Sequence, residues 1–186
     1  MIIEKLNNLA EIKSGYTFRE RVVSVRDGKF FVIQPKDLSN FSYSKIAKIN
    51  LSKNMQKHLL KKGDVLFSNR GNFGAITYDG EYPAIGSGGF FIIRVNNNRV
   101  LPEYLSLFLH SDFAQRRFLR LQESMTIPAL TRTQIADIEI PIPSIENQQK
   151  LIDFECLQKR EYNLIENLLS LKKQRFNAII KGVIND

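Results

Sequence analysis

The chain has little of what extracellular and membrane proteins need. A single cysteine among its 186 residues rules out an internal disulfide. Its longest apolar stretches, such as residues 89–93, have the length of a strand and are too short for a membrane span. The first residues also lack the charged and then apolar layout of a signal peptide. We therefore expect a cytoplasmic protein that does not contact a membrane.

The sequence also lacks the residue patterns of common catalytic and metal-binding sites. Its two histidines, His58 and His110, are far apart and have none of the neighbours that a zinc site requires. No glycine pattern matches a nucleotide-binding loop, and no serine lies in a nucleophile elbow. Asp64 and Glu81 could form a metal-binding nuclease pair, but the Glu-x-Lys that should follow is absent, and turn or cap roles explain both. We expect a recognition protein or adaptor with no catalytic residue, metal or cofactor of its own.

What the sequence does contain is one long helical pattern near its C-terminal end. Pro141 and Pro143 end the preceding element, because each ring fixes φ and removes a hydrogen-bond donor. Ser144 then stands where a helix N-cap is expected. The pattern that follows is about 37 residues long, which corresponds to about 55 Å of α-helix. The chain is therefore predicted to consist of a globular domain, residues 1–143, and a helical arm, residues 144–186.

Two apolar stripes on the predicted arm indicate more than one packing partner. The first follows the heptad-like spacing of a coiled coil and consists of Leu157, Leu164, Leu168 and Leu171, with Glu161 and Arg175 on the same seam. The second lies beside it and consists of Ile152, Ile165, Leu169, Phe176, Ile179 or Ile180, and Val183. Together they are wider than a single coiled-coil seam. A helix folded back on its own domain is the alternative, but a body of about 140 residues is only about 30–35 Å across. The arm should therefore extend further and contact another chain.

The remaining sequence predicts a mixed α+β body. Alternating or apolar segments bounded by glycine or proline predict strands at residues 9–15, 30–34, 63–68, 73–78, 90–95 and 135–140. From Pro102 to Phe113 apolar residues recur at helical spacing, and three arginines follow in the closing turns, where cations complement the helix dipole. Many short strands with one or two helices indicate an α+β fold with a mixed sheet.

The distribution of charge and polar side chains is compatible with DNA binding. The net charge is +8, and residues 1–60 contain eleven Lys and Arg against five Asp and Glu. Such a surface suits phosphate groups, although an ordinary protein surface can carry the same charge. The predicted loops supply side chains able to contact bases and phosphates. These candidate DNA-binding residues are Arg19, Arg21, Lys36, Asn69, Arg70, Asn72, Ser87, Thr126 and Arg132. No helix-turn-helix, zinc-finger or basic-zipper pattern is present, which disfavours the common small DNA-binding classes.

Seven short motifs follow one another along almost the whole chain. They are residues 9–15 (LAEIKSG), 35–38 (PKDL), 62–68 (KGDVLFS), 91–95 (FIIRV), 102–105 (PEYL), 124–130 (SMTIPAL) and 138–148 (IEIPIPSIENQ). Each motif alone is weak, the last is the most specific, and the ordered set is strong. In this order they resemble the specificity subunit of type I restriction–modification systems.

This resemblance implies a non-catalytic subunit that binds double-stranded DNA. Such a subunit directs methyltransferase (modification) subunits, and in the full complex ATP-driven restriction subunits, to a bipartite target. Those partners, not this chain, would bind S-adenosylmethionine, ATP and Mg²⁺. Residues 1–143 would form the target-recognition domain, and residues 144–186 one helical conserved region for spacing, dimerisation and methyltransferase docking. The usual family member has two of each, so the chain resembles a half-subunit that pairs with a copy of itself.

Such pairing would place the two C-terminal helices antiparallel in a coiled-coil-like, isologous homodimer, with the recognition domains at opposite ends. The second apolar stripe would then be left for the methyltransferase subunit. Two other interpretations share these features. A free-standing dimeric DNA-binding regulator would have the same charge and arm, and an inactive truncated fragment of a specificity subunit would have the same sequence.

Overall fold

The computed structural model describes residues 2–71, 73–123 and 129–184. The chain divides into two units, Met1–Gln148 and Gln149–Asp186. The first unit combines strands and helices, and the second is formed by the continuation of the C-terminal helix. The predicted α+β architecture with a long C-terminal helix is therefore confirmed.

The elements of the described residues are short until the last helix. The strands are β1 (Ile2–Lys5), β2 (Ala10–Ser14), β3 (Phe30–Ile33), β4 (Ala47–Ile49), β5 (Val65–Ser68), β6 (Ala75–Thr77), β7 (Ala84–Gly86), β8 (Phe90–Val95) and β9 (Glu139–Ile142). The α-helices are α1 (Pro102–His110), α2 (Asp112–Glu123), α3 (Arg132–Ala136) and α4 (Ile145–Ile184). Short 3₁₀ helices lie at Leu6–Asn8, Pro35–Asn40, Tyr43–Lys45 and Lys53–His58.

Four antiparallel strands in the order β2-β8-β5-β6 form the central sheet of the first unit. Successive side chains of a strand point to opposite faces of the sheet. The register places Ile12, Ile93 and Val65 side by side on one face. On the opposite face Leu66 is paired with Ile92. Because all five side chains are buried, this sheet is apolar on both sides and lies between two other layers.

A second sheet covers the face of the central sheet that carries Leu66 and Ile92. Its order is β4-β3-β7, with β3 antiparallel to β4 and parallel to β7, so the predicted mixed sheet is present. Buried side chains of both sheets form a shared core, which consists of Phe31, Ile33, Ile46, Leu60, Leu66, Tyr78, Ala84, Phe90 and Ile92. Burial of the larger ones contributes about 1.5–3 kcal/mol each, so this core is a major stabilising term.

Helices α1 and α2 cover the other face of the central sheet. Phe118 of α2 packs against Phe67 of β5 and against Phe73, with ring centroids 5.1 and 5.6 Å apart. The hydroxyl of Thr77 on β6 donates to the carbonyl of Pro102, the first residue of α1, at 3.3 Å. The first unit therefore has three layers: the mixed sheet, the central sheet and the helices.

The helical segment predicted after Pro102 is divided at Ser111. The Ser111 hydroxyl donates to the carbonyl of Phe108 at 2.6 Å and accepts the N–H of Ala114 at 3.4 Å, so one side chain ends α1 and begins α2. Phe113, predicted to lie on the apolar face, is 67% exposed. That part of the prediction is wrong, because Ala114 and Phe118 form the buried face of α2 instead.

The strand predicted at residues 135–140 is wrong in its first half. Ile135 and Ala136 belong to α3, whose N-cap Thr131 accepts the N–H of Gln134 at 3.2 Å. The strand begins only at Glu139, and β9 pairs antiparallel with β1, a strand that was not predicted. The isoleucines of this segment are buried in the observed arrangement, as a continuous strand would also bury them. The alternation of these isoleucines therefore does not distinguish one continuous strand from a short helix followed by a strand.

Asp64 is buried and forms a bidentate ion pair with Arg94. Its two carboxylate oxygens accept from Nε and from a terminal nitrogen of Arg94, both at 2.6 Å, and it also accepts the N–H of Lys61 at 2.8 Å. Asp64 therefore has the predicted role in the turn before β5. It also forms an ion pair with a residue of the neighbouring strand β8. Among the described residues no group of three or more His, Cys, Asp or Glu side chains is arranged to hold a metal ion.

Gln148 is completely buried and joins the starts of two helices. Its Oε1 accepts the N–H of Leu101, the residue before α1, at 2.8 Å. Its Nε2 donates to the carbonyls of Arg99 at 2.7 Å and Pro143 at 2.9 Å. Gln148 lies in the first turn of α4. Its amide therefore bonds this turn to the loop between β8 and α1 and to the residues between β9 and α4.

Helix α4 begins directly after Ser144, as predicted. The Ser144 hydroxyl accepts the N–H of Asn147 at 3.3 Å and caps the helix. The helix contains 40 residues, which is about 60 Å of length. Thirteen of the 21 exposed large apolar side chains of the described residues lie on it between Leu151 and Ile184. No helix in the described part of the chain is long and apolar enough to cross a membrane.

Removal of the hydrogen bonds of Gln148 should destabilise the first unit. In Gln148→Met the side chain keeps its length, but the N–H of Leu101 and the carbonyl of Pro143 lose their partner. A polar group left unsatisfied costs about 1–3 kcal/mol, so we expect the free energy of unfolding to fall by about 2 kcal/mol in urea denaturation followed by circular dichroism. Gln149→Met is the matched control, because Gln149 is exposed, and it should change stability by less than about 0.5 kcal/mol. Equal effects of the two variants would contradict the structural role of Gln148.

Candidate nucleic-acid interface

The glycine-rich segment 86–89, which connects β7 to β8, is where the loops with predicted DNA-binding residues meet. Its backbone is hydrogen-bonded to Tyr16 at 2.8 Å, to Ile33 at 2.9 Å and to Asn69 at 3.1 Å. These three residues stand at the start of three connections, which we call the recognition loops: residues 17–29, residues 34–42 and residues 69–71. Loops that are distant in the sequence are therefore attached to one four-residue segment.

The close approach of these loops requires glycine. A Cβ atom on Gly15 would lie 2.0 Å from the carbonyl oxygen of Ser87. One on Gly89 would lie 2.7 Å from Cγ of Pro35. Both distances are well below the separation of about 3.5–4.0 Å at which non-bonded carbon atoms attract each other. A side chain at either position would therefore separate these segments, because Gly15 lies against a backbone carbonyl and Gly89 against the ring of Pro35.

The structure places six of the nine predicted DNA-binding residues on the recognition loops or on the segment itself. Four are exposed cations and two are half-buried polar residues: Arg19, Arg21, Lys36 and Arg70 in the first group, Asn69 and Ser87 in the second. Two further predicted residues, Asn72 and Thr126, lie outside the described residues. The loops that carry most of the predicted set thus begin at one segment, which the sequence did not indicate.

Arg70 lies at the tip of the turn 69–71, which is held on both sides. The carbonyl of Arg70 accepts the hydroxyl of Ser68 at 2.9 Å, and the carbonyl of Asn69 accepts the N–H of Leu130 at 2.9 Å. The Arg70 side chain is exposed, so its five N–H donors are available to a base or a phosphate. Asn69 differs, because its Oδ1 is buried and has no hydrogen-bond partner among the described residues. In this arrangement that oxygen does not reach a base.

Arg132, the ninth predicted residue, lies near β2. It is the exposed first residue of α3. The pKa of the Glu11 carboxyl on β2 is lowered, mainly by the hydrogen bond from Lys13, and the charges of Arg94 and Arg132 lower it further. Arg132 is therefore close enough to interact with an acidic side chain of the central sheet.

A basic face on α2 was not predicted as a binding surface. Phe113, Arg116, Arg117 and Arg120 line an open depression, and their spacing places them on one side of the helix. The sequence interpretation assigns Phe113 to the core and the arginines to the helix dipole, so their common face is overlooked. The i, i+3, i+4, i+7 spacing was the signal that could have revealed it.

The first unit thus carries exposed basic loops on a body of two packed sheets. Comparison with protein families matches residues 3–178 to the type I restriction modification DNA specificity domain. The chain belongs to this family. The family resemblance indicated by the motifs is therefore confirmed.

Similar proteins are considerably longer than this chain. The specificity subunit of the type I restriction enzyme HindI from Haemophilus influenzae is 32% identical over 120 residues, which cover 62% of this chain and 26% of that protein. The MjaIX specificity subunit from Methanocaldococcus jannaschii is 26% identical over 155 residues, which cover 80% of this chain and 35% of that protein. The chain thus spans well under half the length of the curated relatives it matches.

Solved structures share the fold. A chain from a study of complex assembly and conformational transition in a type I R-M system superposes with a TM-score of 0.64 at 18% identity and covers 88% of this chain and 39% of that chain. The HsdS subunit from Thermoanaerobacter tengcongensis gives a TM-score of 0.58 at 18% identity and covers 86% of this chain and 37% of that one. At these identities the likeness shows the fold.

We expect Arg70 and Lys36 to contribute differently to DNA binding. Arg70→Ala should weaken binding by about 1–3 kcal/mol and relax the preference at one base pair, as loss of a base-edge contact does. Lys36→Ala should weaken binding to all sequences and reduce the slope of log affinity against log salt by about one, as loss of a phosphate contact does. Anisotropy titrations with target DNA and single-base variants, on the complex that the family resemblance implies, measure both effects.

Lys62→Ala is the control for these two variants. Lys62 is exposed ahead of β5, whereas the turn with Arg70 follows β5, so the control removes a charge at the opposite end of the strand. It should leave affinity and salt slope unchanged. A uniform loss over all sequences in Arg70→Ala would contradict a base contact by Arg70.

Proposed function

We propose that this chain is a half-length specificity subunit that acts in the cytoplasm. It binds double-stranded DNA through the recognition loops and directs type I methyltransferase subunits, and restriction subunits where the system has them, to a bipartite target. The observation that carries the proposal is the family match over residues 3–178, which includes the loops around segment 86–89 and most of α4. A bipartite target has two half-sites and requires two recognition domains. This chain provides one recognition domain and one long helix.

The charge of the recognition loops supports DNA as the ligand. Arg19, Arg21, Lys36 and Arg70 are exposed cations on loops attached to the same segment. Contacts from such side chains to phosphates release counterions and supply much of the affinity of protein–DNA complexes. Base readout then requires only a few side chains at loop tips. The exposed guanidinium of Arg70 is suited to this role, because arginine binds guanine through two hydrogen bonds.

The uncovered apolar faces of α4 support pairing with a second copy of the chain. Leu164 and Leu168 of the first stripe are 61% and 52% exposed, and Ile165 and Leu169 of the second are 46% and 53% exposed. The other stripe residues whose side chains the structure describes are exposed as well, except Ile152, which is half-buried. Two copies bring eight leucines of the first stripe together, which would contribute on the order of 10 kcal/mol. This is comparable with the cost of association, about 4–15 kcal/mol.

An antiparallel pair of α4 helices would form an isologous interface with twofold symmetry. The recognition units would then lie at opposite ends of the pair, and the helix length would determine the spacing of the two half-sites. The second stripe, with Ile165 and Leu169, would remain for the methyltransferase subunit. Large exposed apolar faces are rare on monomers, so occupation of both stripes is the favourable state.

Substitution of one leucine of the first stripe should abolish the dimer. Leu164→Glu or Leu168→Glu would place a carboxylate in the apolar contact of both copies, where its desolvation is unfavourable. We expect monomers at micromolar concentration in multi-angle light scattering, whereas the wild type is a dimer. Gln174→Glu is the matched control, because it adds the same charge at an exposed position on the polar side of α4. A monomeric wild type without partners would contradict dimerisation through α4.

The methylated target should consist of two inverted copies of one half-site around a fixed gap. Symmetry of the homodimer requires this, because both copies present the same recognition loops. Methylome sequencing of the source cells with and without the gene tests the expectation, and methylation at the site should disappear without it. An asymmetric bipartite site, with no second specificity gene expressed, would contradict the half-subunit. DNA binding without co-purification of a methyltransferase subunit would instead indicate a free-standing regulator.

A further inference from the structure

The basic face of α2 combines an exposed aromatic ring with three arginines, one of which is paired with a carboxylate. Phe113 is 67% exposed, and Arg117 is bonded to Glu139 at 3.3 Å. Arg116 and Arg120 are exposed, and neither forms an ion pair with any of the described residues. The sequence between Phe113 and Arg120 contains no acidic residue. Within the described residues, Arg116 and Arg120 therefore form no ion pair, and the nearest acidic residue of the helix ahead of them is Asp112, four residues before Arg116.

The same helix supports the turn that carries Arg70. On its buried side Phe118 packs against Phe73, and the Gln115 Nε2 donates to the Phe73 carbonyl at 2.8 Å. The three residues from Arg70 to Phe73 span at most about 11 Å. A DNA duplex carries about one phosphate per 1.7 Å of its axis, so a duplex bound at Arg70 presents on the order of ten phosphates within the next 17 Å. Helix α2 thus packs against Phe73, three residues after Arg70 in the sequence.

We infer that Arg116 and Arg120 bind phosphate groups of the DNA that flanks the bases read by the recognition loops. The planar guanidinium donates two parallel hydrogen bonds to a phosphate, which lysine does not. Three of the four side chains that line the depression are cationic, and protein–DNA interfaces are more positively charged than protein–protein interfaces. An acidic surface of a protein partner is the competing occupant. The inference rests on the proposed function, because it requires the chain to bind duplex DNA.

The test is the salt dependence of DNA binding by the methyltransferase complex. Each phosphate contact contributes about 0.9 to the slope of log affinity against log salt, so Arg116→Gln/Arg120→Gln should lower its magnitude by about 1.8. The base preference, measured with single-base variants of the target, should stay unchanged. Arg116→Lys/Arg120→Lys keeps both charges and should keep most of the slope. The matched control is Lys61→Gln/Lys62→Gln, which removes two exposed charges ahead of β5 and should leave the slope unchanged.

The outcomes distinguish the two proposals. A wild-type complex that does not bind duplex DNA would contradict the proposed function and with it this inference. Wild-type binding with the same slope in Arg116→Gln/Arg120→Gln would contradict only the phosphate contacts of α2. Retained slope together with loss of the methyltransferase subunit would show that the face binds a protein. The exposed positions of all four side chains allow substitution without unfolding, which equal melting temperatures of the variants would verify.

Discussion

Direct backbone contact at segment 86–89 is the constraint on which the arrangement of the recognition loops depends. The segment leaves β7 in the mixed sheet and enters β8 in the central sheet, so it also connects the two sheets. Hydrogen bonds to Tyr16, Ile33 and Asn69 attach three loops to it. Because glycine brings backbone against backbone, the positions of these loops follow from the packing of the sheets. The exposed cations of the loops then follow shortly after residues that are hydrogen-bonded to the segment.

Much of the fold could be predicted where the signals are local. Helix α4 follows from Pro143, the Ser144 cap and a sustained apolar pattern, all of which act within a few residues. Strand β8 was predicted because it is apolar on both faces, as a central strand must be. By contrast, β1 is defined by pairing with β9, more than 130 residues away. The division at Ser111 depends on a serine that bonds both helices, and no proline or glycine marks it.

At the candidate site, too, the sequence indicated single residues but not the contacts between distant segments. Residue type alone indicated Arg70 and Lys36, since exposed cations on loops are suited to DNA. Their grouping could not be predicted, because it arises from contacts between segments that lie far apart in the sequence. Phe113 was assigned to the core for a related reason: the period of a helix shows which residues share a face, but not whether that face is covered. Likewise, Asp64 and Arg94 are thirty residues apart and meet only through the register of β5 and β8.

The junction formed by Gln148 is made entirely by an uncharged amide and three backbone groups. Hydrogen bonds of this kind contain no group that titrates near neutral pH, and their buried position protects them from screening by ions. The contacts proposed for DNA are of the opposite kind, because phosphate pairing weakens steeply as salt is added. Changes in ionic strength that release DNA would therefore leave the connection at the start of α4 unaltered. The hydrogen bonds of Gln148 therefore depend less on salt and pH than the phosphate contacts proposed for DNA.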